Sequence, residues 1–586
     1  MPYNPMTARF LEVRGYTPEY LSDIEDASHA DLMDIDVLCE RLMGFRSRGE
    51  RVVVLPDFDM DGIAAGTLGY AGLVELGFNA ALFRPDPSEG YGFGAAAVDR
   101  LVAEFPDTRC ILTCDVGITC YEGIEHAREL GLSVLVTDHH TQEATCPLAA
   151  DVVVDPCRAD ETYAVRGICG AHVLWQVLDR LACLHFPQAR ENINLLRVFA
   201  GIGTVSDMMP LVHENRPLVR DAVAICRLIW SDGRGSDWLG SVHATPALLS
   251  SLWGLRAMLD CFASAGKIAR SEDIDEAFFG YYLAPAFNAA KRMGAAMDDV
   301  FGVFFSDDRY ELASSLYSLN EMRKKAVVDA YDDMMSRTQP YAPHIYLSDA
   351  GAGLLGLLAT RVVRDTAEPC LVLAQEKGKQ SWHGSGRSPE WYPALDRIGG
   401  EGFFIAGHQG AFGVGVTDNR ELKALSAFLS RDVAEQRPEG LVAEVVPDMT
   451  IGERTSCDFD VDCGMLLEFL DDMDQLHPFG HGFEAPVIEC RFPARVATPQ
   501  VIGSAKQHLK FNLSCGLTVL CWNQADVADE ICEHPDAVVS VIGKLERAED
   551  VEVRPGETWY QAKEASRYDP SRIRHAVQFI GDVSLK

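Results

Sequence analysis

Residues 51–62 read RVVVLPDFDMDG, an apolar β-branched run followed at once by aspartates at alternate positions. The run predicts a buried strand, and the glycine that ends the quoted stretch marks the turn into a helical pattern, GIAAGTLGYAGLVELG. Asp57, Asp59 and Asp61 lie just beyond the strand, so their side chains can point the same way and chelate a hard cation. The stretch therefore predicts a strand–loop–helix unit with a cation site at the end of the strand.

The pattern of a strand followed by aspartate recurs along the chain to about residue 215. CILTCD at 110–115 and LSVLVTD at 132–138 each end in aspartate, and ADVVVD at 150–155 reads as a further strand. Helical patterns such as YEGIEHARELG separate these strands. The alternation predicts an α/β domain with a parallel sheet, and such sheets carry their chemistry at the carboxyl ends of the strands.

The acidic stretch after the first strand also has the opening pattern of an EF-hand calcium loop. Counting Asp57 as position one places Leu68, not glutamate, at position twelve, and a strand rather than a helix precedes it. An EF-hand is therefore excluded, and a plain acidic turn without a metal is the remaining structural alternative.

Three further sites carry residues that could join a metal centre. Asp115 follows the second strand, where a lone aspartate is more often a helix cap. Asp138, His139 and His140 follow the third strand and offer nitrogen ligands beside a carboxylate, with solvated loop histidines as the alternative. Asp207 lies in the apolar run GIGTVSDMMPL, where a buried carboxylate needs a cation or a donor. These ligand types favour manganese or magnesium, and two such ions sharing a carboxylate would suit phosphoester hydrolysis.

Bulk composition limits the class of protein. A length of 586 residues suggests roughly three or four domains, and 47% hydrophobic with 24% charged residues is ordinary for a globular enzyme. The first residues, MPYNPMTARF, lack the cationic flank and apolar run of a secretory signal, and no apolar stretch approaches the ~20 residues of a membrane span. The 17 cysteines include no C-x-x-C pair, which favours reduced thiols in the cytoplasm over zinc ribbons.

The net charge has the wrong sign for a general nucleic-acid binder. Lys and Arg number 52 against 87 Asp and Glu, a balance of −35. A local basic path can still exist, and an active site loaded with carboxylates implies bound cations. The charge therefore argues against strong non-specific DNA binding, but it leaves open a nuclease that threads one strand through a narrow path.

The order of the patterns predicts several domains. We expect an N-terminal helical segment over 1–45, a catalytic α/β domain over 46–255, a helical connector with a long helix over 256–340, a second α/β domain over 341–433, and a domain of short strands over 450–586. The segment RDVAEQRPEGLVAEVVPDMT, around 431–450, reads as a linker. The short strands of the last domain fit a small barrel or a sandwich.

In this order, VLPDFDMDGIAA, TCDVGIT, VTDHH and GTVSDMMPLVHENR resemble the four motifs of the DHH phosphoesterase superfamily. RGICGAHVLWQVL and APAFNAAKRMG resemble segments of its RecJ-like branch, and SLNEMRKK fits the long helix that joins its two α/β lobes. HGSGRS and AGHQGAFGVG resemble motifs of the DHH-associated domain, while HPFGHGFEAPV and IGSAKQHLKFNL resemble the start of the RecJ-type oligonucleotide-binding (OB) domain. The resemblance covers about residues 10–575. It implies a DHH-type parallel-sheet domain and a DHH-associated α/β domain joined by a long helix, with a C-terminal OB-type β-barrel.

The resemblance also implies an activity. RecJ-like members are metal-dependent exonucleases that hydrolyse single-stranded DNA 5′ to 3′ to mononucleotides in DNA repair and recombination, with two Mn²⁺ or Mg²⁺ ions at the active site. It implies a cytoplasmic monomer with single-stranded DNA as its partner, a helicase or a single-strand-binding protein as further candidates, and no membrane. The alternatives are a phosphodiesterase for short RNA or cyclic dinucleotides, which would lack the terminal barrel, and a non-catalytic replication scaffold, which would have lost the metal-binding acids.

Site residues follow from the same resemblance. The implied metal ligands are Asp57, Asp59, Asp61, Asp115, His139 and Asp207, with Asp115 as the bridge between the ions. The implied catalytic residues are Asp138, His139 and His140, with His140 facing the scissile phosphate. The implied substrate-binding residues are Asn288, Arg292, Ser385, Arg387, Gly407, His408, Lys506 and Lys510. In the barrel, Lys506, His508 and Lys510 together with the aromatics Phe511, Trp522 and Trp559 would give both charge and stacking surfaces for single strands, although at least half of these aromatics are as well explained as barrel core.

The chain departs from the family pattern at several positions. Leu55 replaces a histidine that often precedes the second aspartate of the first motif, so Asp57 must compensate. Ala286 replaces an arginine, and Lys291 stands before Arg292 in place of glycine, which keeps a cation nearby. Ala406 replaces the first glycine of the G-G-H triplet. These changes leave the implied metal ligands intact and alter segments that the resemblance assigns to substrate binding and to the direction of hydrolysis.

A second glycine-rich run offers a competing interpretation. GAGLLG at 351–356 has the G-x-G-x-x-G form after the strand HIYLSDA, and Glu376 lies near the spacing expected for a dinucleotide site. The same segment matches the glycine-rich helix start of the DHH-associated domain, where glycines allow close packing. We expect packing, because an oxidoreductase leaves every DHH-type motif unexplained.

Overall fold

The computed structural model describes the chain in segments. The described residues are 3–28, 31–90, 92–142, 149–231, 234–336, 341–376, 378–438, 446–452, 457–460, 462–551 and 573–585. The chain divides into two compact units, Ala27–Ala443 and a unit formed by Met1–Asp26 with Glu444–Lys586. The N-terminal residues thus group with the C-terminal domain. No helix among the described residues is long and apolar enough to cross a membrane.

Two N-terminal helices, α1 (Pro5–Arg14) and α2 (Pro18–Ile24), belong to the unit that contains the C-terminal domain. Asn4 caps α1 by accepting the Met6 N–H at 2.9 Å, and Thr17 caps α2 by accepting the Tyr20 N–H at 3.2 Å. The Tyr16 hydroxyl donates to Glu484 Oε2 at 2.8 Å. These helices are therefore held by side chains on residues more than 400 positions away.

The first lobe of the larger unit contains the predicted parallel sheet, with strand order β2-β1-β3-β4-β5 and every pair parallel. Its elements are α3 (Ile35–Ser47), β1 (Arg51–Pro56), α4 (Met60–Glu75), β2 (Ala80–Leu82), α5 (Ala95–Glu104), β3 (Thr108–Cys114), α6 (Tyr121–Glu129), β4 (Ser133–Thr137) and β5 (Val152–Val154). Strands β1, β3, β4 and β5 are short, contain β-branched residues and are almost wholly buried, as a sheet covered on both faces requires, whereas the edge strand β2 is partly exposed.

A helical layer completes this lobe and provides one large core with the sheet. Its helices are α7 (Gly170–His185), α8 (Arg190–Leu195), α9 (Arg197–Ser206), α10 (Asn215–Trp230), α11 (Arg234–Ser241), α12 (Pro246–Ser264), α13 (Glu276–Phe278), α14 (Ala284–Met293), α15 (Met297–Phe305) and α16 (Arg309–Ser336). A π-helical turn, Phe279–Leu283, leads directly into α14.

The long helix α16 contributes to two hydrophobic cores. Its 28 residues begin in the first lobe, where Ala313 and Leu316 pack into the large core. Near its end, Tyr331 and Met334 pack with Leu355 and Leu358 of the second lobe. Residues of α16 therefore contribute to the cores of both lobes of this unit.

The second lobe is built on a mixed five-stranded sheet with strand order β6-β7-β8-β10-β9. Its elements are β6 (Ile345–Leu347), α17 (Ala352–Thr366), β7 (Cys370–Gln375), β8 (Trp382–Arg387), α18 (Ala394–Gly400), β9 (Phe404–His408), β10 (Ala411–Val416) and α19 (Asn419–Gln436). Only the β6–β7 pair is parallel among these strands, and β7, β8, β10 and β9 pair antiparallel in turn. The second α/β domain predicted from sequence is thus present.

The C-terminal domain consists mainly of short strands in an eight-stranded sheet of order β12-β11-β13-β17-β18-β16-β15-β14. Its elements are β11 (Met449–Gly452), β12 (Phe459–Asp460), α20 (Cys463–Leu476), β13 (Ile488–Pro493), β14 (Gln500–Ile502), β15 (His508–Asn512), β16 (Thr518–Cys521), α21 (Ala528–Glu533), β17 (Val538–Val551) and β18 (Ile573–Leu585). The long β17–β18 pair runs through the middle of this strand order and carries three strands on either side.

Candidate metal centre

Three of the predicted acids form a row along the carboxyl edge of the parallel sheet. Asp57, Asp115 and Asp138 each follow a strand directly, and the last residues of those strands are paired in register. The backbone N–H of Asp57 donates to Cys114 O at 3.2 Å, and that of Asp115 donates to Thr137 O at 3.1 Å. The hydrogen bonds of the sheet therefore bring together aspartates that are 23 to 81 positions apart in sequence.

The other two acids of the first motif are fixed by helix termini. Asp59 is the N-cap of α4 and accepts the N–H groups of Asp61 and Gly62 at 3.0 and 3.2 Å. Asp61, the second residue of α4, is buried, and its carboxylate lies against the N-terminus of α7. There it accepts the N–H groups of Gly170 at 2.7 Å and Ala171 at 3.2 Å. Carboxylates are favoured at helix N-termini, so both acids are held in place by the backbone.

Three glycines allow the elements to approach this closely. A Cβ on Gly170 would lie 2.5 Å from Asp115 Oδ1, and a Cβ on Gly62 would lie 2.5 Å from the Asp57 backbone. A Cβ on Gly203, in α9, would overlap Asp61 Oδ1. Sequence reasoning missed these roles, because a glycine inside a helical pattern gives no sign of which side chain it faces.

His139 lies among the acids. Its Nε2 is 3.1 Å from Asp115 Oδ1, 3.6 Å from Asp207 Oδ2 and 3.9 Å from Asp61 Oδ2. Asp207 reaches this position as the C-cap of α9. The structure thus brings together the acids and the histidine that the sequence predicts from four separate motifs.

The side chains form overlapping groups suited to metal ions, with the ligand atoms of each group within 4.8 Å of one another. The groups are Asp57, Asp59 and Asp115; Asp61, His139 and Asp207; and Asp115, His139 and His140. Asp115 and His139 are each shared between two groups. Asp115 and His139 thus link the three groups, which are suited to hold hard cations close to one another.

The chemistry of the site requires positive charge. Asp115 Oδ1 is buried and has no hydrogen-bond partner among the described residues, which is costly for a carboxylate without a cation. Oxygen ligands with one imidazole match Mn²⁺ or Mg²⁺ better than a soft metal. The residues present therefore fit two hard divalent cations. Leu55, which stands where the family often has a histidine, is buried in β1, and the acids and the histidine of the cluster are present without it.

Electrostatics point the same way. Burial, followed by the charge of neighbouring aspartates, raises the pKa of Asp57 to about 7 and of Asp207 to about 8. The same causes raise the pKa of Asp115, and burial raises that of Asp61. Burial lowers the pKa of His139, which keeps the imidazole neutral as a metal ligand requires. Without cations these acids hold protons, which bound metal would displace.

Asp138 does not point into the metal cluster but orients the histidines. Its Oδ1 accepts the backbone N–H groups of His139 at 2.7 Å and His140 at 3.2 Å, and lies 2.7 Å from His140 Nδ1. Its Oδ2 accepts the Ile118 N–H at 2.8 Å. Burial opposes charge on both partners, but their hydrogen bond prevails, raising the pKa of His140 to about 9 and lowering that of Asp138. In the absence of metal, the hydrogen bond to Asp138 therefore favours the protonated form of His140.

A fourth acid at the sheet edge was overlooked in the sequence. Asp155 follows β5, and the residue before it pairs in register with Thr137, so it lies beside Asp138. It is fully buried, and burial together with the charge of Asp138 raises its pKa to about 8. The signal was available, because ADVVVD shows the same strand-then-aspartate pattern as the other motifs.

Helix α14 carries predicted substrate residues next to the first motif. Asn288 Oδ1 accepts the Met60 N–H at 2.9 Å, so this side chain holds the turn that carries Asp59. Lys291 Nζ lies 3.9 Å from the centroid of the Phe58 ring, a cation–π contact. Burial lowers the pKa of Lys291, although Asp57 and Asp59 oppose the shift. A cation is thus present where the sequence departs from the family pattern.

Arg292 and Arg387, on different lobes, share an electropositive region with Arg323. Burial, then the charges of Arg323 and Arg387, lowers the pKa of Arg292 to about 10. Burial also lowers the pKa of Arg323 and of Arg387. Arg387 Nη1 donates to Ser385 Oγ at 2.9 Å. Repelling guanidinium groups held together are suited to bind an anion such as phosphate, and Arg323 is the member that sequence reasoning missed.

The glycine-rich run at 351–356 is used for packing. A Cβ on Gly353 would lie 2.5 Å from Arg292 O, and one on Gly356 would lie 3.0 Å from Arg387 Nη2. These glycines let the start of α17 approach both arginines, as expected from the packing interpretation. Gly407, at φ 133°, ends β9 with His408, whose backbone pairs with Ala411. The side chain of His408 lies outside what the structure describes.

The predicted nucleic-acid residues of the C-terminal domain belong to the other compact unit. Lys506 is exposed in the turn before β15, and Lys510 is half-buried on that strand. Trp522 is 47% exposed and its ring contacts that of His508, whereas Phe511 is buried in the core. Trp559 lies outside the described residues. Of the described aromatic pair, one is therefore a surface residue and one is core.

Comparisons with known proteins agree with this architecture. The sequence pattern of the DHH family, N-terminal domain, matches residues 51–202, and that of the RecJ OB domain matches residues 458–550. The "Single-stranded-DNA-specific exonuclease RecJ" of Thermus thermophilus is 28% identical over 492 residues, which are 82% of this chain and 64% of that protein. The protein of the same name from Escherichia coli is 27% identical, over 85% of this chain and 82% of its own length. The chain therefore spans less than two thirds of the length of the Thermus relative.

Solved structures show the same fold. The crystal structure of RecJ from Thermus thermophilus in complex with Mn²⁺ superposes with a TM-score of 0.71 at 23% identity, covering 99% of this chain and 76% of that one. A crystal structure of exonuclease RecJ bound to manganese gives a TM-score of 0.54 at 25% identity, covering 69% and 95%. The chain thus carries a DHH-family N-terminal domain at residues 51–202 and a RecJ-type OB domain at residues 458–550, and it resembles RecJ proteins over most of its length.

Proposed function

We propose that this protein is a metal-dependent exonuclease that hydrolyses single-stranded DNA. The observation that carries the proposal is the set of three overlapping ligand groups that share Asp115 and His139. Relatives named for this activity match more than four fifths of the chain. A scaffold protein has no need for acids buried against one another without cations, since their repulsion destabilises the fold. The retained metal cluster therefore favours an enzyme.

Each residue of the cluster has a proposed role. Asp57, Asp59 and Asp115 would hold one cation, and Asp61, His139 and Asp207 would hold the other. When bound, two such cations supply an activated water and offset the charge that develops on a phosphoester. His140, kept positive by Asp138, would donate to the scissile phosphate and stabilise the same charge.

The arginines would position the strand. Arg292, Arg323 and Arg387 form a region of positive charge, and the described residues supply no ion pair to any of them. Guanidinium groups match phosphate in a bidentate manner, so this region would bind a backbone phosphate away from the one that is cleaved. In the C-terminal unit, Lys506, Lys510 and the exposed Trp522 would bind single-stranded DNA through charge and stacking.

Further properties follow from the same proposal. We propose hydrolysis in the 5′ to 3′ direction to mononucleotides, in DNA repair and recombination, by a monomer in the cytoplasm. A helicase that supplies single strands, or a single-strand-binding protein that covers them, would be its partner. Because the net charge is −35, long-range attraction to DNA is weak, and such a partner would help to deliver the strand.

The test compares Asp115→Asn with Asp107→Asn. Both acids flank β3, but Asp107 is exposed at its start, where it pairs with Arg51, whereas Asp115 follows its end in the metal cluster. Strands labelled at the 5′ or the 3′ end, duplex DNA and RNA are incubated with Mn²⁺. We expect loss of single-stranded DNA from the 5′ end by the wild type and Asp107→Asn, and a fall of at least about 100-fold in Asp115→Asn.

Different outcomes would contradict different parts. Release of mononucleotides from the 3′ end would overturn the direction alone. Turnover only of dinucleotides would replace the exonuclease with a phosphodiesterase for short substrates. If calorimetry shows manganese binding but no substrate is hydrolysed, the proposal that the protein is an enzyme would be wrong, and a scaffold role would be favoured.

A further inference from the structure

A methionine occupies a backbone position that normally favours glycine, immediately after a predicted metal ligand. Met208 has φ 55°, in the left-handed region. Its N–H donates to Val205 O at 3.2 Å, and the N–H of Met209 donates to Thr204 O at 3.0 Å. This is the hydrogen-bond pattern of a Schellman motif, with Asp207 as the C-cap and Met208 at the position usually held by glycine. A side chain there is unfavourable for the fold.

The same methionine is unusually exposed. Its surface is 75% accessible, although it is an apolar residue next to Asp207, whose Oδ2 lies 3.6 Å from His139 Nε2. Glycine would remove both the backbone cost and the exposed apolar surface. A residue that breaks two local preferences at a candidate active site points to a role in binding rather than in folding.

A second exposed apolar side chain lies on the neighbouring element. The π-helical turn Phe279–Leu283 packs on α9, where the Cβ position of Gly280 is 3.5 Å from Val205 Cγ1. The next residue, Tyr281, is 77% exposed. The turn leads into α14, whose Asn288 bonds to the first motif. Tyr281 therefore lies on an element that packs against α9 two residues before Asp207, and this element is an irregular turn of the kind often found at functional sites.

We propose that Met208 and Tyr281 form the contact surface for the nucleobase of the nucleotide whose phosphate lies at the metal centre. The inference rests on the proposed nuclease function. In the proposed function the cations and the arginines bind phosphates, which leaves the base of that nucleotide without a contact. Met208 follows Asp207 directly, and Tyr281 lies on the turn that packs against Val205, so these exposed side chains are the apolar groups offered to the base. A thioether and a phenol ring accept any base face, without hydrogen-bond readout.

This contact would also contribute to selectivity for single strands. In a duplex the base faces are stacked on their neighbours and paired, so they are not available to a side chain at the metal centre. Unstacking a base costs roughly a few kcal/mol, and only an unpaired end avoids that cost. The surface would therefore distinguish an unpaired base from a paired one, without distinguishing one base from another.

The test combines a modified substrate with altered proteins. Single-stranded DNA carrying a tetrahydrofuran abasic residue at the cleaved nucleotide is compared with the unmodified strand, using kcat/KM with Mn²⁺. The variants are Met208→Gly, Met208→Leu and Tyr281→Ala, with Leu130→Ala as the matched control. Leu130 is 48% exposed after α6, towards the start of β4 and thus at the opposite edge of the sheet.

We expect the wild type and Leu130→Ala to prefer the base-containing strand by about fivefold to tenfold. Met208→Gly and Tyr281→Ala should lose most of that preference, while Met208→Leu keeps it. Met208→Gly should have an unchanged or higher Tm, since glycine suits the left-handed position. A lower preference in a more stable protein cannot come from damage to the fold.

Two results are kept apart by the design. If the wild type cleaves both strands equally, or Met208→Gly and Tyr281→Ala keep the full preference, the base contact is wrong while the nuclease stands. If the wild type does not cleave the unmodified strand, the proposed function itself is wrong.

Discussion

Asp138 Oδ1 binds both the backbone and the ring of His140, at 3.2 Å from its N and 2.7 Å from its Nδ1. One carboxylate oxygen therefore sets the position of the ring and its charge together. Burial alone would favour a neutral imidazole, yet the pKa of His140 is raised to about 9. In the proposed mechanism His140 faces the substrate, and its charge depends on Asp138, which need not touch the substrate.

The first prediction concerns this pair. Asp138→Asn should lower kcat by roughly 100-fold at pH 7.5, because loss of the charged partner lets burial lower the pKa of His140 below that pH. Since the imidazolium exists only below its pKa, the alkaline limb of the pH–rate profile should move down from about 9. A profile measured with saturating Mn²⁺ checks the shift.

Asp151→Asn serves as the control for that experiment, because Asp151 accepts the Val134 N–H at 2.9 Å where β4 begins, at the opposite end of that strand. An alkaline limb that stays in place in Asp138→Asn would show that His140 does not carry the proton.

The second prediction concerns close packing around Asp61. Gly203→Ala should displace Asp61, because the new methyl group would overlap its Oδ1. Overpacking of this kind costs about 1–3 kcal/mol, so a lower Tm is expected together with weaker Mn²⁺ binding in calorimetry. Gly240→Ala is the control, since its Cβ would meet nothing within 4 Å in α11. Unchanged Mn²⁺ affinity in Gly203→Ala would contradict the role of this glycine.

The third prediction concerns pH and metal. In the absence of metal the pKa of Asp57 is raised to about 7 and that of Asp207 to about 8, whereas in the unfolded chain it is about 3.9. The folded protein thus binds more protons, and its stability falls as pH rises through this range. We expect the Tm of metal-free protein to drop between about pH 5 and 8, and Mn²⁺ to restore it with release of protons.

Thermal unfolding with and without chelator, and calorimetry in buffers of different ionisation enthalpy, measure these effects. A metal-free Tm that rises with pH over this interval, or Mn²⁺ binding without proton release, would show that the acids are ionised before metal arrives.

The fourth prediction concerns the arginine group. Arg323→Gln should raise KM for single-stranded DNA by about tenfold with little change in kcat, because it removes one phosphate-binding charge away from the metals. The Tm should not fall, since burial and repulsion already disfavour these charges. Lys324→Gln, at an exposed residue paired with Glu321, is the control. A kcat effect without a KM effect would place Arg323 at the reacting phosphate instead.

The fifth prediction concerns the N-terminal helices. Arg14 donates to Asp448 with Nε at 2.5 Å and Nη2 at 3.1 Å, and Asp448 is buried. Arg14→Met should destabilise the unit formed by both chain ends by about 1–2 kcal/mol, because it leaves a buried carboxylate with fewer donors. Arg9→Met is the control, since Arg9 pairs with the exposed Glu12 on the same helix. Equal denaturant midpoints for both variants would contradict a structural role for Arg14.

The sequence by itself determined the parallel sheet and the identity of its chemistry. Short β-branched runs that end at a turn signal favour buried strands, so the positions of Asp57, Asp115 and Asp138 at strand ends could be predicted from local pattern. Parallel strands bring their carboxyl ends to one edge, which is why a shared site followed. The long helix α16 was likewise visible as a continuous helical pattern.

Only the tertiary structure decided how the site is completed. Which glycine faces which carboxylate, as Gly203 faces Asp61, depends on how α9 packs against α4, and helix packing leaves no local signature. The proximity of Arg323 on α16 to Arg292 on α14 likewise depends on helix packing and could not be predicted from local pattern. The grouping of residues 1–26 with the C-terminal domain rests on pairs such as Arg14 and Asp448, 434 positions apart, which no local pattern links. Hydrophobic periodicity predicts the secondary structure of a segment, whereas side-chain packing between distant segments decides which segments contact one another.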